Sequence, residues 1–115
     1  MKLTIYHNPR CRKSREALQY LEENQLEFEI IDYLKNPISE NQIGQVLTQL
    51  SYSPIELVRK NEAVWKEHFK GKKMSDNDVK EALCAYPKLI ERPIIVKGEN
   101  AIIARPLEKL ISFLK

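Results

Sequence analysis

The 115-residue chain is long enough for one domain and short for two, and at this size about two-thirds of the unfolded surface can be buried without metal or disulfide staples. Apolar residues make up 43% and charged residues 30%, the balance of a soluble globular protein, with no run near the roughly 18 apolar residues of a membrane span and no signal-peptide pattern; the expected compartment is the cytoplasm. A net charge of +3 without a helix-turn-helix, RNP or zinc-finger pattern gives no nucleic-acid signature, and two cysteines with no CxxC supply neither a disulfide framework nor a metal site.

Leu3 to Tyr6 is short and rich in β-branched and aromatic residues, and it stops at Asn8-Pro9, which reads as a strand running into a loop. Ala17, Leu18 and Leu21 follow at helical spacing and the pattern closes near Asn24. Phe28, Ile30 and Ile31 form a second strand, so the first thirty residues predict a βαβ unit. In such units ligands gather at the carboxyl end of the first strand, where Cys11 lies.

Beyond Asn36-Pro37, Ser39 with Gln42 forms a capping box ahead of Ile43, Val46, Leu47 and Leu50, one face of a helix. Ser53 with Glu56 and Pro54 opens a short helix towards Arg59, and Ser75 with Asp78 opens another through Val79, Ala82, Leu83 and Tyr86, ended by Pro87. Trp65 and Phe69, four apart, are expected to pack this helical segment against the core, with His68 facing solvent and Lys70 to Lys73 in a loop. Residues 93–96, a turn at 97–100 and residues 101–104 predict an antiparallel hairpin, and Leu107, Leu110, Ile111 and Leu114 a last amphipathic helix. A βαβ half joined by helices to a ββα half is the order of the thioredoxin fold: α/β, a mixed sheet, one domain over 1–115 with a helical insertion at about 38–88.

Cys11 precedes a helix N-terminus, where free N–H groups and the helix dipole favour a thiolate. Arg10, Arg12, Lys13 and Arg15 crowd the same end, where stability alone favours acidic residues or serine; an anion there, whether thiolate or oxyanion substrate, turns the conflict into an attraction, while a solvated basic face is the plain alternative. His7, four positions ahead, either pairs with the thiolate or stands by. Cys84 falls among the apolar positions of its helix and reads as a core thiol.

The run Ile5-Tyr6-His7-Asn8-Pro9-Arg10-Cys11-Arg12-Lys13-Ser14-Arg15 resembles the active-site loop of the glutaredoxin-linked ArsC arsenate reductases, and Leu57-Val58-Arg59-Lys60-Asn61, Ile90-Glu91-Arg92-Pro93-Ile94-Ile95-Val96 and Arg105-Pro106 match in the same order. The resemblance implies a thioredoxin-like fold with a cis peptide at Arg92-Pro93. It implies Cys11 as nucleophile, His7 as the residue that lowers its pKa, and Arg59, Arg92 and Arg105 as holders of arsenate or its adducts. Guanidinium forks suit a tetrahedral oxyanion, which needs several convergent donors. It further implies arsenate or a similar oxyanion as substrate, glutathione as co-substrate, glutaredoxin as partner, no bound cofactor or metal, and a monomer in the cytoplasm. Ser14 stands where redox members of the fold carry a second cysteine; its hydroxyl is expected to donate to substrate or thiolate, or to cap the helix.

Two other readings share these residues. Spx-type regulators have the same fold and bind RNA polymerase, but usually carry CxxC where this chain has Cys11-Arg12-Lys13-Ser14. An ArsC-like thiol oxidoreductase acting on another oxyanion or a thiol adduct also fits, since a basic cysteine pocket does not by itself recognise arsenic. A tyrosine phosphatase of the cysteine type would need an arginine at position 17, which is Ala17.

Overall fold

Strand β1 (Leu3–His7) alternates, so that Leu3, Ile5 and His7 line one face. The loop after it leads into helix α1 (Arg12–Glu23), whose buried stripe is Ser14, Ala17 and Leu21. Strand β2 (Phe28–Asp32) returns parallel to β1 in the register Ile5↔Ile30 and His7↔Asp32, a pairing that requires a crossover, here α1. Strands β3 (Ile94–Lys97) and β4 (Asn100–Ile103) form a hairpin closed by Gly98-Glu99, with Gly98 at φ 63°, a left-handed value that glycine adopts without steric cost. β3 lies antiparallel to β1 and completes a sheet of order β2-β1-β3-β4. Helix α5 (Leu107–Leu114) follows.

The computed structural model describes residues 2–115, and its contacts divide them into two compact units: residues 2–36 with Arg92–Lys115, and Pro37–Glu91. In the first, Leu3, Ile5, Ala17, Leu21, Ile95, Ala104 and Leu110 form one core, each at most 3% exposed. Burying a leucine or isoleucine side chain there contributes about 1.5–3 kcal/mol. The mixed sheet, with its βαβ and ββα halves, is thioredoxin-like, as the order of elements predicts. The Arg92-Pro93 peptide is cis, as the resemblance implies, and so is Arg105-Pro106, for which the sequence carries no signal.

The second unit, Pro37–Glu91, is built from short helices. Helix α2 (Glu40–Leu50) begins with the Ser39–Gln42 box, in which Ser39 Oγ accepts from the Gln42 amide at 3.2 Å and Gln42 Oε1 from the Ser39 amide at 3.0 Å. The helix expected towards Arg59 is a single 3-10 turn, Pro54–Leu57. It stops because Val58 turns extended and bridges Ile90, while the Arg59 amide donates to the Leu89 carbonyl at 2.7 Å. Helix α3 (Ala63–His68) buries Trp65, whose ring lies 5.4 Å from Phe69. His68 is exposed and stacks on Tyr86. Helix α4 (Asp76–Ala85) starts at the Ser75–Asp78 box and packs on α2 through Val79, Ala82 and Leu83. Cys84 is half-buried, not a core thiol, because it stands one position off that stripe.

Candidate active site

The loop after β1 is built by Asn8. Its side-chain Oδ1 accepts from the Arg10 amide at 2.9 Å, and its carbonyl accepts from the Cys11 amide at 3.0 Å. Together these close a turn over residues 8–11 with Asn at the first position and Pro at the second, residue types that each favour those places. Cys11 comes out of the turn extended, at φ −95° and ψ 123°, and its carbonyl accepts the Arg15 amide at 3.0 Å, so it is the N-cap of α1. Of the roles open to Ser14, capping the helix is not the one it takes, since Cys11 holds the cap and Ser14 lies within the first turn of the helix.

A cap residue faces the free amides of the first turn. The thiol of Cys11 makes no cap hydrogen bond of the kind an oxygen makes there, yet its ionised form is stabilised. Partial burial alone pushes the Cys11 thiol up; the Ser14 amide, the Arg92 guanidinium and the Lys13 amide outweigh it, and the Arg92 charge adds to them, so the thiol lies below its ordinary range.

His7 and Ser14 meet because the row 3–5–7 of β1 faces the stripe 14–17–21 of α1. His7 Nδ1 lies 2.6 Å from Ser14 Oγ, and the Asn8 amide donates to the same oxygen at 3.0 Å. Ser14 is fully buried, which leaves its hydroxyl to these two partners within the fold. Burial pushes the His7 imidazole down, Asp32 pulls it up and Arg15 pushes it down again, with a net lowering that favours the neutral ring. The contact that the structure gives His7 is therefore with Ser14, through a neutral ring.

The sheet register brings two of the three arginines to the same end. Ile94 pairs with Ile103 and the Ala104 amide donates to the Pro93 carbonyl at 2.9 Å, so Arg92 and Arg105 stand opposite each other at the open end of the hairpin. β1 runs antiparallel to β3 with Tyr6 opposite Ile94, which puts that end beside the carboxyl end of β1 and the Cys11 loop. Arg105 Nη1 is buried and has no hydrogen-bond partner among the described residues. Arg59 belongs to the second unit, where its Nε lies 3.7 Å from Glu62 Oε2 and 3.9 Å from Glu91 Oε1.

The basic residues around the helix start are disposed on the surface. Arg12 and Lys13 share Glu16, at 3.5 and 3.9 Å, and Arg15 donates from Nη1 to the Pro9 carbonyl at 3.0 Å. Cys84 has the opposite character to Cys11, since burial and then the Glu40 charge push its thiol up. No cluster of three or more His, Cys, Asp or Glu side chains arranged for a metal occurs among the described residues, and no helix there is long and apolar enough to cross a membrane.

A thioredoxin-like sheet with a single cysteine capping the first helix, and arginines at the facing hairpin, defines a small thiol protein built for anions. A model of the ArsC family matches residues 6–113, and the chain belongs to that family. It is 33% identical over 111 residues to the arsenate reductase of Neisseria meningitidis serogroup B, covering 95% of each chain. It is 39% identical over 112 residues to the uncharacterized protein YfgD of Escherichia coli, covering 96% of this chain and 94% of the relative. The solved structure of arsenate reductase from Vibrio cholerae superposes with a TM-score of 0.91 at 36% identity, covering 97% of both chains.

Proposed function

We propose that the chain reduces arsenate to arsenite, with Cys11 as nucleophile. The observation that carries this reading is the Cys11 thiol, held low against its own partial burial by the Ser14 and Lys13 amides and by Arg92. The names of the relatives in Neisseria and Vibrio supply the choice of arsenate over phosphate, which has nearly the same shape and charge.

The Cys11 thiolate attacks arsenic, a sulfur–arsenic bond forms, and one oxygen leaves as water after protonation. Arg92 and Arg105 hold the oxyanion and neutralise charge on the departing oxygen. Glutathione adds its sulfur to arsenic as a second water leaves. A glutaredoxin thiolate then attacks that glutathione sulfur: a disulfide forms, the sulfur–arsenic electron pair stays on arsenic, and arsenic becomes trivalent. Hydrolysis of the remaining bond releases arsenite and returns the Cys11 thiol. Both reductants belong to a reducing cytoplasm, and one protein cysteine suffices.

Arsenate-dependent NADPH oxidation, coupled through glutathione, glutathione reductase and glutaredoxin, tests the reading. The wild type is expected to turn over and Cys11→Ser to fall to the uncatalysed background. Folded wild type without arsenate-dependent oxidation would sink the substrate, and an active Cys11→Ser would sink the nucleophile.

A further inference from the structure

We propose that Asn8 is a positioning residue for the Cys11 thiolate and that it acts through the loop it folds and through Ser14. The inference rests on Cys11 being the reactive thiol, and it concerns what holds the anion-binding amides in place.

Asn8 is 3% exposed, and an asparagine side chain buried this deeply is retained at a cost unless its polar atoms are used. Three groups of this one residue bind three different points of the site. Oδ1 takes the Arg10 amide, the carbonyl takes the Cys11 amide, and the amide N–H goes to Ser14 Oγ. The first two fix the turn from which Cys11 emerges. The third ties the strand end to the residue whose own amide, with that of Lys13, stabilises the thiolate. Ser14 Oγ is the joint: it accepts from Asn8 and shares a hydrogen bond with His7 Nδ1, whose direction follows the imidazole tautomer, so strand and helix are linked by two short bonds to one buried oxygen.

Only the Oδ1 bond depends on the asparagine side chain; the other two are made by its backbone. Removing Oδ1 leaves the Arg10 amide unpaired and loosens the turn that aims the rest. Hydrogen bonds to a thiolate lose strength steeply as their angles open, so a loop free to rotate loses anion stabilisation even where the fold survives. Serine at position 8 keeps a short oxygen able to accept from the amide two residues on.

The test is the pH profile of Cys11 alkylation by iodoacetamide in a Cys84→Ser background, so that one thiol reports. Asn8→Ala is expected to move the midpoint upward and to slow alkylation below both midpoints by about two- to fourfold, the loss of one hydrogen bond's net contribution offset in part by the greater nucleophilicity of a more basic thiolate. Asn8→Ser should restore most of it, and in the coupled assay Asn8→Ala should lower kcat with KM held and recover as pH rises. A folded Asn8→Ala with an unchanged profile, or an Asn8→Ser no better than alanine, overturns the proposal. If Asn8→Ala does not fold, Ser14→Ala takes its place: an upward midpoint supports the joint and an unchanged one refutes it. The alkylation readout needs no arsenate, so failure of the substrate assignment is distinguishable from failure of this inference.

Discussion

Replacing Arg92 with alanine removes the one side-chain cation that acts directly on the Cys11 sulfur. A hydrogen bond to a charged group contributes about 1.5–3 kcal/mol, and Cys11 is partly exposed, so screening by water sets the effect at the lower end. About 1.4 kcal/mol is a tenfold loss of thiolate at any pH below both titration midpoints. Reactivity does not fall by the same factor, because a more basic thiolate is a better nucleophile, with a Brønsted coefficient of about 0.4–0.5. Exchange with a small soluble disulfide should therefore slow only about threefold below both midpoints, while the high-pH plateau rises about threefold. The two curves cross, which separates this cause from simple damage to the site, where the rate drops at every pH. Measured in a Cys84→Ser background, coincident profiles for wild type and Arg92→Ala would refute the role assigned to the guanidinium. Arg92→Lys should lie between them, since an ammonium keeps the charge and loses the fork.

A thiol whose folded pKa is depressed adds stability that is complete above the unfolded pKa of about 8.5 and is lost as pH falls through the folded pKa. The difference in unfolding free energy between wild type and Cys11→Ala, from urea titrations, should thus grow with pH across that window; a difference independent of pH would contradict the stabilised thiolate. Leu21→Ala, at a fully buried position between α1 and the sheet, should cost about 2–5 kcal/mol by the same titrations. A loss below about 1 kcal/mol would mean that the packing there is misjudged. Cys84→Ser should leave arsenate turnover unchanged, because that thiol is pushed up by burial and by Glu40; abolished turnover in folded protein would end the single-cysteine cycle.

What is local was legible in the sequence. Capping boxes at Ser39 and Ser75 announce their helices because the partners lie three residues apart, and the strands show themselves through runs such as Pro93-Ile94-Ile95-Val96. The Ser53–Glu56 box is equally local, yet it opens only one 3-10 turn, because the pairing of Val58 with Ile90 pulls the chain straight and spacing carries no trace of that bridge. The contact of His7 with Ser14 needs two periodicities combined: the alternating row 3–5–7 and the helical stripe 14–17–21. Read separately, each residue looks aimed at the cysteine. As the stop of a strand Asn8 is plain in the sequence, and an asparagine before a proline, three residues ahead of the cysteine, is also a signal for the turn it makes.

The cations at the start of α1 take on a different meaning once Arg92 is in view. Arg12 and Lys13 are 84% and 44% exposed and share Glu16, and Arg15 is spent on the Pro9 carbonyl. Glu16 lies four and three residues beyond them on the same helix, so it returns part of the charge complement that the first turn lacks. Neither Arg12 nor Lys13 contributes its charge to the depressed thiol; Lys13 contributes its amide. The side-chain cation that does so comes from the strand across the sheet, carried there by the pairing of β1 with β3. The basic loop is thus suited to drawing anions over a distance of about 8–10 Å, where salt screens it. The chemistry at sulfur is set by backbone amides and one arginine at contact, where salt acts weakly. Helix stability is given up for the first of these tasks, and the second needs no sacrifice, because an N-cap anion and the first-turn amides attract each other in any helix.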